Sequence, residues 1–264
     1  MDRKAAEVFL DHFGLSPAGS GIATLEEVAR AFSSIPWENL TKYLSLAQDP
    51  QGRERPRMPL QLFEEHVSLG TGGTCFSLTR ALESVLRRLE YSCRPLMADM
   101  SHGPDIHCGL LVAVDGKAVL CDPGYLVPVP VVLSRSAAVE VEAAGQTFRY
   151  VPERGGWNMF TVRDGRMRWR YRLKAEHVEP GRFDEHWRRS FHATGMNGLH
   201  LNRLTDSGRL YAHNGNLRVV ENGSRRNEKM SDHYAEAVEE GFGLDREIAG
   251  RAWKRLQLAR RARR

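Results

Sequence analysis

The change of hydrophobic period near residue 90 constrains the fold more than any other feature of this sequence. Before it, apolar residues recur at helical spacing, as over Lys4 to Phe13 and over Cys75 to Leu89. Beyond it, short segments in which apolar and polar residues alternate, bounded by Gly and Asp turns, predict strands. The first of them is Arg94 to Asp99, and a later one is Met167 to Leu173. Helices and strands segregated in this way favour an α+β fold over a doubly wound parallel sheet.

Further elements extend this order. Thr24, followed by two acidic residues, predicts the N-cap of a helix that continues to Ser34, ahead of Pro36. Other helices are predicted over Pro59 to Val67 and Pro180 to His192, with two more between Asp232 and Leu258. The other predicted strands are His107 to Val114, Lys117 to Asp122, Ala138 to Ala143, Phe148 to Val151, Met159 to Val162, Leu199 to Leu204, Arg209 to Ala212 and Leu217 to Val220.

The composition is that of a globular protein. Of the 264 residues, 41% are apolar and 27% are charged, which is ordinary and leaves ample material for a core. The sequence has no run of eighteen apolar residues, so no membrane partner is expected. The amphipathic N-terminus lacks the apolar centre of a secretory signal, and we therefore expect a cytoplasmic protein.

Cysteine spacing and charge narrow the classes of ligand. The four cysteines are Cys75, Cys93, Cys108 and Cys121. Because none forms a close pair, we expect free thiols and no metal site. The net charge of +5 suits a phosphate-bearing cosubstrate such as coenzyme A, and no basic-aromatic pattern indicates nucleic acid. A basic tail is expected to be solvated and disordered: Arg260, Arg261, Arg263 and Arg264.

A predicted hairpin brings a histidine and an aspartate together. Asp115-Gly116 between two apolar runs predicts a two-residue turn, which fixes the register of the flanking strands. Counting outward, Asp122 lies opposite Gly109 and shares a face with His107. Diagonal neighbours are roughly 7–8 Å apart, within reach of an imidazole–carboxylate hydrogen bond. A β-bulge would shift the register and separate the two residues. The alternative interpretation is that His107 and Asp122 are only solvated residues near strand ends.

Cys75 has the setting of a nucleophile. It follows a glycine-rich loop, residues 70–74, and begins a helix whose free amide hydrogens favour a thiolate. With a His–Asp pair, such a thiolate can attack an acyl carbon while the imidazole transfers protons. The alternative is a structural cysteine at a helix start. Cys108 and Cys121 share the other face of the hairpin and are predicted to be core.

Several segments resemble, in order, motifs of the arylamine N-acetyltransferase family. Ile35-Pro-Trp-Glu-Asn-Leu40 resembles its Pro-Phe-Glu-Asn motif, and Gly72-Gly-Thr-Cys75 resembles its nucleophile loop. His107 and Asp122-Pro-Gly-Tyr125 resemble its histidine and its Asp-x-Gly-Phe motif. Gly241-Phe-Gly-Leu244 resembles its C-terminal Phe-Gly motif. The likeness spans nearly the whole chain.

The resemblance implies a fold of three regions related to that of cysteine proteases. An N-terminal helical bundle over residues 1–91 would carry the cysteine. A central antiparallel β-barrel over residues 92–195 would carry the histidine and the aspartate. A C-terminal α/β lid would occupy residues 196–264 and include the basic tail.

The resemblance also implies a reaction. Cys75, His107 and Asp122 would form a catalytic triad for ping-pong transfer of an acetyl or other short acyl group from a CoA thioester to an arylamine. Acetyl-CoA would be a cosubstrate, with no permanently bound cofactor, and the second substrate would be a small amine. The residues expected to contact the cosubstrate are Thr74, Gly124 and Tyr125.

Three positions depart from the family pattern. Thr71 stands where arginine is usual, and Ser77 and Thr79 stand where glutamate and asparagine are usual. Glu38 and Asn39 are expected to brace the cysteine loop. The donor and the acceptor therefore stay open. The alternatives are an amide synthase that uses carrier-bound acyl groups, a transglutaminase-like cysteine hydrolase, and a binding module without catalysis.

Overall fold

Helices come first and strands dominate the rest of the computed structural model, which describes residues 2–16, 19–49 and 51–262. The helices are α1 (Asp2–His12), α2 (Ile22–Phe32), α3 (Leu40–Gln48), α4 (Pro59–Leu69), α5 (Cys75–Arg88), α6 (Pro180–Arg189), α7 (Tyr234–Phe242) and α8 (Arg246–Arg261). The strands are β1 (Trp37–Glu38), β2 (Ser92–Met100), β3 (Gly103–Val114), β4 (Lys117–Cys121), β5 (Val131–Val132), β6 (Val139–Ala143), β7 (Gln146–Glu153), β8 (Gly156–Arg163), β9 (Arg166–Lys174), β10 (His200–Thr205), β11 (Gly208–His213), β12 (Asn216–Glu221) and β13 (Ser224–Lys229). The predicted α+β class is confirmed.

The N-terminal helices pack around one apolar core. Leu78 and Val85 of α5 are fully buried there with Phe9 of α1, Leu25 of α2 and Phe63 of α4. Burying a large apolar side chain contributes about 1.5–3 kcal/mol. This core fixes α5, and with it the position of the helix N-terminus that carries Cys75.

The central strands form an antiparallel sheet in the order β5-β4-β3-β2-β9-β8-β7-β6. The sheet curls into a near-closed barrel. Strands from its two sides contribute to one core, which includes Leu120 of β4, Val131 of β5 and Phe148 of β7. Trp157 Nε1 of β8 donates a hydrogen bond to the Ser134 carbonyl oxygen, 2.7 Å away, and so joins the two ends of the sheet. The predicted antiparallel barrel is confirmed.

A second sheet, in the order β1-β10-β11-β12-β13, packs with the C-terminal helices. Its first strand comes from the N-terminal region, where Trp37 pairs with Asn202. Asp245 caps α8 by accepting a hydrogen bond from the Ile248 amide over 2.9 Å. The Pro-Trp-Glu-Asn segment is therefore tied to the C-terminal part of the chain.

Two helix predictions need correction. α2 begins at Ile22 with Gly21 as its N-cap, so Thr24 lies inside the helix and does not cap it. The basic tail, expected to be disordered, is helical through Arg261, where α8 ends. Arg263 and Arg264 lie outside the described residues.

Four elements are absent from the sequence predictions: α3, β1, β5 and β13. α3 starts four residues after Pro36. β13 is exposed at every position and has no alternation, so only its pairing with β12 makes it a strand. No helix in the described ranges is long and apolar enough to cross a membrane.

Candidate active site

The loop before Cys75 lies against the chain that follows α2. A Cβ atom at Gly72 would lie 1.6 Å from the carbonyl oxygen of Pro36, so no other residue fits there. The Glu38 amide donates to the Gly73 carbonyl oxygen over 3.0 Å. Cys75 is then the first residue of α5, as predicted, and it is 8% exposed. Thr74 occupies the N-cap position of this helix.

The hairpin of β3 and β4 holds the histidine and the aspartate. Val114 pairs with Lys117 across the turn, which is the predicted register. His107 Nε2 lies 3.1 Å from Asp122 Oδ2, and both residues are buried. The prediction that His107 and Asp122 share one face of the hairpin therefore agrees with the observed geometry.

The carboxylate of Asp122 is oriented by two further donors. The Tyr171 hydroxyl donates to Oδ2 over 2.5 Å, and the Tyr125 amide donates to Oδ1 over 2.9 Å. Tyr171 belongs to β9, 49 residues further along the chain, and no pattern in the sequence points to it. Both carboxylate oxygens are thus engaged, and the side chain cannot turn away from the imidazole.

Gly124 marks the point where the cysteine and the histidine meet. A Cβ atom there would lie 2.5 Å from Cys75 Cβ and 2.9 Å from His107 Cε1. The Cys75 sulfur is also 3.6 Å from the carbonyl oxygen of Ile106. Since Nε2 of the imidazole is engaged by Asp122, Nδ1 is the ring nitrogen left for the thiol.

Replacing Gly124 by alanine is expected to separate the thiol from the imidazole, because a methyl group must displace one of them. We expect alkylation of Cys75 by iodoacetamide at neutral pH to slow by about tenfold or more, with the far-ultraviolet circular dichroism retained. Gly181→Ala is the matched control, since nothing lies within 4 Å of its Cβ position. Equal rates in the two variants would contradict the close approach.

The electrostatics favour a thiolate–imidazolium pair. A hydrogen bond from the Cys108 thiol, followed by the hydrogen bond and charge of His107, holds the pKa of Cys75 well below its usual range despite burial. Burial lowers the pKa of His107, but the charge and hydrogen bond of Asp122 and the Cys75 thiolate outweigh it and raise this pKa to about 10. Each partner therefore stabilises the charged form of the other.

Cys108 is more than the core residue that the sequence predicts. Burial raises the pKa of its thiol well above the usual range, so the thiol stays neutral, and it packs in the same buried cluster as Cys75. Thr79 Oγ1 lies 3.4 Å from the Cys108 sulfur and 3.4 Å from its carbonyl oxygen. Thr79, which departs from the family pattern, thus supports a residue that contacts the candidate nucleophile.

Lys42 of α3 is a second buried cation beside the cysteine. Its ammonium donates to Ser190 Oγ over 2.7 Å and lies 4.5 Å from the centre of the Phe191 ring. Burial lowers its pKa to about 8, opposed by the negative charge of the Cys75 thiolate. Sequence patterns missed Lys42 because they did not predict α3.

Arg57 braces the nucleophile loop. Its guanidinium donates to the Gly72 carbonyl oxygen over 2.6 Å and to Thr71 Oγ1 over 3.0 Å, and it lies 3.4 Å from Glu38 Oε1. Thr71 therefore contacts a guanidinium that comes from the segment before α4. Asn39 is also expected to brace the cysteine loop, but its side chain bonds a different segment and donates to the Gly198 carbonyl oxygen over 2.8 Å.

These groups meet at a cavity of about 870 Å³, a volume suited to a small-molecule substrate. The predicted residues on its wall are Thr74, Cys75, His107, Gly124 and Tyr125, with Asp122 behind the imidazole. Among the described residues, one carboxylate lines the cavity, that of Asp164. The lining cations are Lys42, Arg163, Arg166, Arg168, Arg170, Arg209, Arg218 and Arg225. This excess of positive charge favours anionic ligands.

Comparison with known proteins relates the sequence to a known family. A family model described as N-acetyltransferase matches residues 21–250. The chain is 28% identical to proansamycin X synthase of Amycolatopsis mediterranei over 160 residues, which are 57% of this chain and only 60% of that relative's length.

Solved structures show the same fold. The arylamine N-acetyltransferase of Salmonella typhimurium superposes with a TM-score of 0.79 at 19% identity, covering 95% of this chain and 98% of the other. The enzyme of Mycobacterium abscessus gives a TM-score of 0.81 at 17% identity, covering 95% and 94%. With a family model that matches most of its length, the chain belongs to the arylamine N-acetyltransferase family.

Proposed function

We propose that this protein transfers an acetyl or other short acyl group from a CoA thioester to an arylamine, by a ping-pong reaction through a thioester on Cys75. The observation that carries the proposal is the convergence around Gly124 of the Cys75 side chain and an imidazole hydrogen-bonded to a buried carboxylate. In such an arrangement the cysteine is the nucleophile, the histidine carries the proton and the aspartate orients the histidine.

In the first half-reaction, the Cys75 thiolate attacks the thioester carbon of the donor. The tetrahedral intermediate collapses with cleavage of the bond between that carbon and the sulfur of CoA. CoA leaves as a thiolate and takes the proton of the His107 imidazolium, so that the acyl-enzyme carries a neutral imidazole. Because the pKa of His107 is raised, its imidazolium is present at neutral pH and supplies this proton.

In the second half-reaction, the amine nitrogen attacks the acyl carbon of the Cys75 thioester. Nδ1 of His107 accepts a proton from the attacking nitrogen, while Asp122 stabilises the imidazolium that forms. The carbon–sulfur bond to Cys75 breaks, which releases the amide and restores the thiolate–imidazolium pair. Thr74, Gly124 and Tyr125, on the same cavity wall, would contact the substrates.

The basic cavity supports a phosphate-bearing donor. Its lysine and arginine side chains attract the anionic part of acetyl-CoA and raise its local concentration. The four cysteines are free thiols, which suits a reducing compartment such as the cytoplasm.

Intact mass spectrometry after incubation with acetyl-CoA tests the proposal. We expect a gain of one acetyl group, located on the peptide that contains Cys75, with release of one equivalent of CoA. Addition of an arylamine should discharge the adduct and yield the acetylated amine. Discharge by water as fast as by amine would indicate a hydrolase, and absence of both adduct and CoA release would overturn the proposal.

A second candidate is an amide synthase that takes its acyl group from a carrier. The similarity to a proansamycin X synthase favours it, together with Thr71, Ser77 and Thr79 at the positions that depart from the family pattern. Acyl-enzyme formation from S-acetylpantetheine that equals the rate from acetyl-CoA would support this candidate, since the nucleotide of CoA would then contribute nothing.

A further inference from the structure

Arg170 and Arg209 are two half-buried arginines of the cavity that lack a carboxylate partner among the described residues. Arg209 of β11 donates from Nη2 to the Leu126 carbonyl oxygen over 3.2 Å, but its Nε is fully buried without a partner. Arg170 of β9 donates from Nε to Thr161 Oγ1 over 2.7 Å. Within residues 2–16, 19–49 and 51–262, no carboxylate lies at ion-pair distance from either guanidinium.

This arrangement is costly in the absence of a ligand. A buried donor without an acceptor loses its hydration, and two nearby guanidinium groups repel each other. Burial lowers the pKa of Arg209, and the charge of Arg170 lowers it further. An oxyanion placed between the two groups removes both costs, because each guanidinium offers planar N–H donors suited to carboxylate or phosphate.

Both arginines converge on Tyr125, close to the candidate catalytic centre. Arg209 bonds the carbonyl oxygen of Leu126, the residue after Tyr125. Thr161, the partner of Arg170, lies opposite Phe148, whose ring is centred 6.3 Å from that of Tyr125. The Tyr125 ring is centred 6.2 Å from that of His107. The two arginines therefore line the Tyr125 side of the cavity that the imidazole also lines.

This position selects the part of a substrate that reaches the pair. The phosphates of CoA are separated from its thioester by the long pantetheine arm, so they lie far from the imidazole when the thioester is at Cys75. An oxyanion on the acceptor amine, or on the acyl group itself, lies close to the reacting carbon and can reach Arg170 and Arg209.

We propose that Arg170 and Arg209 form a binding site for the oxyanion of a small anionic substrate, with a carboxylate on the acceptor arylamine or on the acyl group as its ligand. The inference rests on the proposed acyl transfer for the identity of the substrate. The binding site itself needs no chemistry, so it can be tested separately.

Binding of two acetylated arylamines by isothermal titration calorimetry tests the site without turnover. We expect 4-acetamidobenzoate to bind the wild-type chain on the order of tenfold more tightly than the uncharged 4-acetamidobenzamide, as an ion pair in a partly buried site implies. Arg170→Met and Arg209→Met should remove this preference and leave binding of the amide unchanged. Arg209→Lys should restore only part of it, because lysine lacks the guanidinium fork.

Arg168→Met is the matched control, since Arg168 lies two residues from Arg170 on the same strand and on the same cavity. It should keep the preference at physiological salt. An equal loss in this variant would assign the preference to the general field of the cavity and overturn the proposal. Thermal melts identify any variant that has lost its fold. If Arg209→Met has done so, the test rests on Arg170→Met, because Arg170 is partly exposed.

Two kinetic comparisons identify which substrate carries the oxyanion. With the enzyme acetylated from 4-nitrophenyl acetate, a loss in the arginine variants confined to 4-aminobenzoate, against 4-aminobenzamide, places it on the acceptor. A loss confined to loading from a succinyl ester, against the acetyl ester, places it on the acyl group. No loss in either comparison, with no preference in binding, overturns the site even where acyl transfer itself proceeds.

Discussion

Replacing Cys75 by alanine is expected to abolish acyl transfer, with kcat/KM falling on the order of 10⁴-fold or more, because no other group can form the covalent intermediate. Alanine is smaller than cysteine and starts a helix equally well, so the fold should persist. The measurement is the release of CoA from acetyl-CoA in the presence of an arylamine, followed together with intact mass.

Cys93→Ala is the matched control for this experiment. Cys93 is half-buried, and burial raises the pKa of its thiol to about 11, so it is a poor nucleophile at neutral pH. Its replacement should change the rate by less than about twofold, as for substitutions away from a site. Full activity in Cys75→Ala, or a comparable loss in Cys93→Ala, would contradict the assignment of the nucleophile.

Asp122→Asn is expected to lower the rate of acyl-enzyme formation on the order of 10³–10⁴-fold. The carboxylate accepts the Nε2 proton of His107 and so leaves Nδ1 free to take a proton from the thiol. An asparagine amide can donate to Nε2, which favours the tautomer with its proton on Nδ1 and removes the acceptor. The rate is measured as the burst of CoA release with acetyl-CoA in excess over enzyme and no arylamine, so that each enzyme molecule is acylated once.

Tyr171→Phe separates the charge of Asp122 from its orientation. It deletes one donor to Oδ2 and keeps the carboxylate, so we expect a loss of only about tenfold, the value of one hydrogen bond to a charged group. Equal losses in Asp122→Asn and Tyr171→Phe would show that the negative charge contributes nothing beyond alignment.

Local patterns predicted the part of the site that depends on local structure. The Asp115-Gly116 turn sets the register between β3 and β4, and this register brings His107 to Asp122. The glycine-rich loop, residues 70–74, likewise predicts a helix that starts at Cys75, where α5 begins. Both inferences use only residues close together in sequence.

The supporting residues depend on tertiary packing and leave no such pattern. Tyr171 reaches Asp122 from a strand across the barrel, and Arg57 reaches the nucleophile loop from an irregular segment. Lys42 lies on a short helix that the sequence does not signal. Arg209 resembles any arginine on a half-exposed strand until the fold places it against the carbonyl oxygen of Leu126, the residue after Tyr125.

The rate at which iodoacetamide alkylates Cys75, followed by peptide mapping from pH 5 to 10, tests the thiolate–imidazolium pair most directly. Because the pKa of Cys75 is lowered and that of His107 is raised to about 10, the ion pair persists through neutral pH. It is lost when pH falls through the lowered pKa of the thiol or rises through the raised pKa of the imidazolium. We therefore predict a rate that is flat between about pH 6 and pH 8. A rate that instead climbs tenfold for each pH unit across this range, as for a thiol with an ordinary pKa of about 8.5, would contradict it.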